Sequence, residues 1–509
     1  MNEREKSDPA MVATKPTNGP ESTGEEPVER RARAEENAEQ HGTRRTPSRA
    51  SVSPGLDRVR QVAKGLKKEK FTALLHHVDI ALLRTAYFSL KREAAPGVDG
   101  TTWQDYGEGL EPKLEDLHGR IHRGAYRAQP SRRQYIPKPD GRQRPLGIAA
   151  LEDKIVQRAV VEVLNAIYEE DFLGFSYGFR PGRGQHDALD ALAVGIEHGK
   201  VNGVLDADIA GFFDTVNHDW LIRFLEHRIG DRRVIRLIRK WLKVGVMEDG
   251  VVTPSEVGTP QGAVISPLLA NIYLHYVFDL WADRWRRHHA HGNVILVRYA
   301  DDIVAGFEHA ADATRFLAEM RQRMAKFGLS LHPDKTRLIE FGRLAAENRA
   351  RRGLGKPETF NFLGFTHICG RSRKGVFQLR RKSRRDRMRA KARELKEELR
   401  RRWHETIPCQ GQWLKQVLTG WFNYHAVPTN GPALGNFRDR VTDLWRRALR
   451  RRSQKDGTTW QRMHAIAERW LPRPRILHPW PNVRFAVRHP RWEPYALIGP
   501  VRFCAGGAP

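Results

Sequence analysis

Cysteine is nearly absent from this 509-residue chain: it has three, Cys369, Cys409 and Cys504, too scattered for a paired zinc clasp and too few to staple a protein of this size. A reducing compartment is expected. Long apolar runs are missing as well, since no stretch of about 18 apolar residues occurs, and the opening Met1-Asn2-Glu3-Arg4 has no apolar segment behind it. The chain therefore reads as cytoplasmic, with no membrane partner. Acidic residues are the third scarcity: 60 Asp and Glu against 88 Lys and Arg leave a formal charge of +28. So large an excess repels itself unless a polyanion neutralises it, which makes nucleic acid the expected partner. Hydrophobic residues at 40% and charged residues at 29% are an ordinary globular mixture, so a wholly disordered, collagen-like or membrane-bundle protein is excluded.

Residues 1–65 are rich in Pro, Gly, Ser, Thr, Glu and Arg, show no apolar period, and read as a disordered basic and polar arm. Order is expected from Phe71, and the texture to residue 370 mixes short apolar strands with helices. Composition then shifts. Between Arg371 and Arg402 stand 16 Lys or Arg against 4 Asp or Glu, which reads as a basic helix. Trp413, Leu414, Val417, Leu418, Trp421 and Phe422, then Phe437, Val441, Leu444 and Trp445, recur at helical spacing and predict two more helices with arginine-rich outer faces. The last fifty residues carry Pro472, Pro474, Pro479, Pro481, Pro490 and Pro494 and read as an extended tail.

Two acidic pairs carry the chemistry. In Val294-Ile295-Leu296-Val297-Arg298-Tyr299-Ala300-Asp301-Asp302-Ile303-Val304, β-branched runs flank adjacent acids, which predicts a hairpin with Asp301 and Asp302 at its tight turn. In Val204-Leu205-Asp206-Ala207-Asp208-Ile209, strand alternation puts Asp206 and Asp208 on one face. Each pair alone suits a solvated turn or a helix cap. Together, beside one another, they suit magnesium, which prefers oxygen ligands, and paired ions about 3.5 to 4 Å apart serve phosphoryl transfer.

Further blocks surround these acids. They are Ile136-Pro137-Lys138-Pro139-Asp140-Gly141-Arg142-Gln143-Arg144-Pro145-Leu146-Gly147-Ile148, Ser176-Tyr177-Gly178-Phe179-Arg180-Pro181-Gly182-Arg183-Gly184, the block from Gly258 to Leu274 that opens Gly258-Thr259-Pro260-Gln261-Gly262, Leu331-His332-Pro333-Asp334-Lys335-Thr336 and Phe362-Leu363-Gly364-Phe365. With the strand ending at Asp208 and the Tyr299 to Asp302 turn they make seven blocks in one order. In that order the chain resembles group II intron reverse transcriptases with their maturase domain, over about Phe71 to Arg452.

The resemblance implies an α+β right-hand polymerase: fingers and palm with an antiparallel palm sheet over residues 66–370, a helical thumb or maturase domain over 371–455, and a proline-rich C-terminal tail over 456–509. It implies an RNA-directed DNA polymerase of the bacterial cytoplasm or nucleoid that binds its intron RNA and assists splicing and mobility. Its partners would be intron RNA, an RNA template with a DNA primer, deoxynucleoside triphosphates and target DNA. Asp208, Asp301 and Asp302 match the family's catalytic metal ligands for two Mg2+ ions, with Mn2+ a substitute; Asp206 is the second choice, because Phe213 follows Asp208 at the family's spacing. Phe213 would gate against a 2′-hydroxyl, Lys138 and Arg144 would hold the triphosphate, and Gln261 would pack beside the incoming nucleotide, with Gly258 and Gly262 letting backbone approach the substrate. Lys335 is a candidate general acid for the departing pyrophosphate. Arg180 and Arg183 either hold template phosphates or serve a structural turn, and Gly420-Trp421-Phe422-Asn423-Tyr424 resembles the thumb segment. The clustered Cys and His of an HNH endonuclease are not seen. Two other readings stand beside this one: a splicing cofactor with a vestigial polymerase site, and a reverse transcriptase repurposed for DNA repair or phage defence.

Overall fold

Two apolar periods build the described residues, 54–137, 143–248, 250–253, 257–259, 262–452 and 458–488, of this computed structural model. The period of two makes eleven strands among them: β1 (Ser131–Pro137), β2 (Gln143–Ile148), β3 (Gly203–Asp208), β4 (Val246–Glu248), β5 (Val251–Thr253), β6 (Val294–Tyr299), β7 (Asp302–Phe307), β8 (Arg337–Glu340), β9 (Phe360–Phe362), β10 (Phe365–Arg371) and β11 (Phe377–Ser383). They form three sheets, ordered β2-β1-β4-β5, β6-β7-β3-β8 and β11-β10-β9. The second sheet is antiparallel throughout, which lets short connections place chemistry at strand ends.

That sheet separates two cores. Leu205, Ala207, Leu296, Ile303 and Ala305 face a large core with helix α1 (Leu151–Asp171), which is enclosed along most of its length and buries Asp153, Lys154 and Gln157 together with its apolar residues. Val204, Val297 and Val304 face the other side with helix α2 (Gln185–His198), Phe360 and Phe365. Helix α3 (Ser266–Leu274) runs into a π-helical turn, His275–Asp279. A third core lies in a helical unit made by α4 (Arg385–Arg401), α5 (Ile407–His425), α6 (Gly431–Arg450) and α7 (Trp460–Trp470), where Leu395, Leu414, Trp421, Phe437, Trp445 and Met463 interlock. Helix α8 (Pro481–Arg488) leaves that unit and packs on α2. Among the described residues no helix is long and apolar enough to cross a membrane.

Three segments differ from the sequence expectation. The expected arm lies outside the described residues up to residue 53, and Pro54–Gly65 is a helix that buries Leu56, Val59 and Ala63. The basic segment after Arg371 begins as strand β11, in which Leu379, Arg381 and Ser383 point inward; dense arginine hides this period of two, and the helix starts only at Arg385. The proline-rich stretch holds α7 and α8. Among the described residues Pro472, Pro474 and Pro479 sit between helices and Pro481 opens one, which is where a missing N–H costs nothing. Residues 489–509, with Cys504, lie outside the described residues.

Candidate active site

Two residues, Ala300 and Asp301, join β6 to β7, and Ala300 takes a left-handed φ of +56° to make that reversal. The register then pairs Tyr299 with Asp302 and Asp302 with Asp208 across adjacent strands. Opposed side chains in an antiparallel pair share a face about 4.5–5.5 Å apart, so Asp208, Asp302 and Tyr299 stand in a row, with Asp206 one pleat behind Asp208. Asp301 adjoins the row in the turn.

The electrostatics are those of crowded like charges. Burial first, then Asp208, raises the Asp301 carboxyl above the usual range, while Arg144 and Lys335 oppose the shift. Asp302 is exposed at the start of β7. The surrounding protein, then Asp301, Asp208 and Asp206, pushes its carboxyl up as well, against Arg387. Burial lifts Asp206 to about 6 despite Arg337, whose Nη2 is 3.6 Å from Asp206 Oδ2. Lys335 Nζ donates to Asp208 Oδ2 at 2.8 Å. Lys335 is largely exposed, and an exposed pair contributes about 1 kcal/mol or less, so a stronger cation can displace it.

Among the described residues no three His, Cys, Asp or Glu side chains close onto one point as a ready metal cage. The donor set nevertheless suits a hard divalent cation: oxygen ligands alone, side by side, with Asp208 raising the proton affinity of Asp301 and both raising that of Asp302. The expected convergence of the three aspartates is thus an adjacency of side chains.

What braces the turn is a buried network that no spacing rule singles out. Arg298, fully buried in apolar β6, donates through Nε and Nη2 to Asp279 at 2.7 and 2.6 Å. Its Nη1 donates to Asn271 Oδ1 and to the Ala300 carbonyl, both at 3.0 Å, and Nη2 also reaches Ser176 Oγ at 2.7 Å. Asp279 comes from the π-helical turn, a local irregularity that re-aims one side chain. Gly178 packs against the same turn: a Cβ there would lie 2.3 Å from Ala300 N. The one signal in the sequence was a charge inside an unbroken apolar run.

The remaining expectations divide. Arg180 binds Glu169 and the carbonyls of Leu173 and Ser176, and Arg183 donates to the Gly174 carbonyl over the Tyr177 ring; both side chains serve the structural turn. Phe213 is buried in the short helix Phe212–Thr215, and its carbonyl accepts from Thr259 N at 2.7 Å. Gly258 and Gly262 make close backbone approaches, but to protein: added Cβ atoms would meet the Phe213 carbonyl oxygen at 2.8 Å and the Gly147 carbonyl oxygen at 2.5 Å. Arg144 is exposed on β2 within electrostatic reach of Asp301. Lys138 and Gln261 lie outside the described residues. Tyr424 Oη donates to the Leu363 carbonyl at 2.8 Å, tying the helical unit to the Phe362–Phe365 block.

A family described as reverse transcriptase (RNA-dependent DNA polymerase) matches residues 136–367, the span of all seven blocks. Protein YkfC of Escherichia coli (strain K12) is 34% identical over 326 residues, 57% of this chain and 80% of that protein. Group II intron-encoded protein LtrA of Lactococcus lactis subsp. cremoris is 37% identical over 225 residues, 43% of this chain and 37% of that protein. The chain belongs to the group II intron reverse transcriptases. This reverse transcriptase is also similar to nuclear intron maturase 3, mitochondrial, of Arabidopsis thaliana, at 30% over 129 residues, 24% of the chain and 17% of that protein. Family membership makes nucleic acid its partner class, in keeping with the +28 charge.

Proposed function

We propose that the chain adds deoxynucleotides to a primer on an RNA template at the Asp208, Asp301 and Asp302 cluster, and that it binds intron RNA and assists its splicing and mobility. The observation that carries this reading is the register that sets Asp208 beside Asp302, with Asp301 in the adjoining turn. In this reading the sheet β6-β7-β3-β8 is the palm, β1 and β2 belong to the fingers, and the helical unit is the thumb or maturase domain, with bounds near 66–370 and 371–455.

Asp208, Asp301 and Asp302 would hold magnesium ions, or manganese in their place, whose chemistry is to activate an attacking oxygen and offset phosphate charge. Arg144, within electrostatic reach of Asp301, orients the triphosphate through charge-assisted hydrogen bonds, a role shared with Lys138. The Phe213 ring closes the floor under the sugar and leaves no room for a 2′-hydroxyl, and Gln261 packs beside the base. Lys335 carries its proton next to Asp208 and passes it to the departing pyrophosphate. Positioning and charge neutralisation supply the rest, as phosphoryl transfer requires. The exposed cations of α4 take nucleic-acid phosphates.

Primer extension on an RNA template tests this. Asp301→Ala is expected to abolish nucleotide addition while RNA affinity stays within about two-fold, because long-range phosphate contacts dominate affinity. Equal loss of both would contradict the division of labour.

A further inference from the structure

Phe179 is not used by the site as described so far. Its ring is 49% exposed, and its φ of +58° is a left-handed conformation in which a bulky side chain is an outlier. Both flanks are locked. Tyr177 N donates to the Arg298 carbonyl at 2.9 Å, Gly178 abuts Ala300, and the Gly178 carbonyl accepts from Asn271 Nδ2 at 2.7 Å. On the other side Arg180 is buried with Glu169. The network that braces the catalytic turn therefore forces the ring outward and keeps it there, and strain held in this way clusters at functional sites.

Its position says what it meets. The Phe179 ring centroid is 6.5 Å from that of Tyr299, and Tyr299 stands next to Asp302, which stands next to Asp208. Phe179 thus extends the carboxylate row by one member. A nucleic-acid strand whose end lies at the carboxylates runs along this row, and its bases present flat π faces to a rigid exposed ring. We propose that Phe179 is a stacking platform for a base of the primer strand near its growing end. This rests on the polymerase reading. Stacking is sequence-tolerant, so the platform registers the strand without selecting bases.

The test uses the full chain and an RNA template–DNA primer duplex carrying 2-aminopurine at successive positions, first in the primer and then in the template. Wild type is expected to quench the probe at one primer position. Phe179→Ala and Phe179→Gly should lose that quenching and weaken duplex binding roughly five- to hundred-fold, the range of one lost base–aromatic stack. Phe179→Trp should keep both. The glycine variant separates strain from contact: if it binds and quenches like wild type, the ring is dispensable and the proposal falls. Quenching that depends on Phe179 only in the template strand overturns the strand assignment. Wild-type protein that binds duplex and adds no nucleotide sinks the polymerase reading instead, whatever the probe reports about Phe179.

Discussion

Arg298 makes five hydrogen bonds inside the protein and exposes no surface, so its worth shows when it is removed. Arg298→Met leaves Asp279 buried and uncompensated, an expected loss of about 3–5 kcal/mol in urea unfolding. Asp153, buried on α1, supplies a pH signature of its own. It accepts from Tyr126 Oη and from Gln129 N, and burial raises its carboxyl from 3.8 to about 6. The folded chain binds that proton more tightly, so the contribution to stability is complete below about pH 4 and is lost as pH rises through about 6. Asp153→Asn has no proton to lose, so its melting temperature is expected to decline less than that of wild type between those pH values. Parallel curves would exclude the assignment. The placement of Asp208 at the end of β3 and of Asp301 and Asp302 at the hairpin turn was legible in the sequence because alternation and a tight turn are local rules. Arg298 left half a signal, a charge among valines, and Phe179 left none, since its exposure and its φ are imposed by Asn271 and Ala300, about a hundred residues away.

Among the elements, the hairpin β6-β7 and the helices around Trp421 and Trp445 follow from their apolar periods. Strand β11 and helix α8 do not, and one buried cluster explains why both matter. Asp190 on α2 receives Arg381 of β11 at 3.0 Å and also Arg484 of α8. Phe485 of α8 joins the core that holds Tyr177, Tyr299 and Ala300. A charge count reads these arginines as surface, whereas a shared carboxylate makes them interior. Asp190→Ala orphans two arginines and is expected to cost about 3–5 kcal/mol, while Arg484→Ala, which leaves the Arg381 pair intact, should cost less. Thermal or urea unfolding of the two variants checks the order. The reverse order would mean that α8, rather than the carboxylate, holds this junction.

For the whole molecule, the +28 charge is an argument about phosphate. Helix α4 buries Leu395 and Leu399 and turns Arg389, Arg393 and Lys396 to solvent on another face. Replacing those three with Gln should leave the fold unchanged and reduce the salt slope of RNA binding by up to about 3, near 0.9 per phosphate contact. An unchanged slope would move the phosphate path off α4. The order of the blocks, the acidic face of β3, the turn of the hairpin and the sign of the partner's charge could all be had from the chain's own letters, because each depends on neighbours within a few residues. Folding alone settled that Asp208 lies opposite Asp302 rather than one residue away, that Arg298 finds Asp279, and that Phe179 stands beside Tyr299. Register and burial are set by contacts between distant segments, where a shift of one residue turns every side chain to the opposite face, and no local period records them.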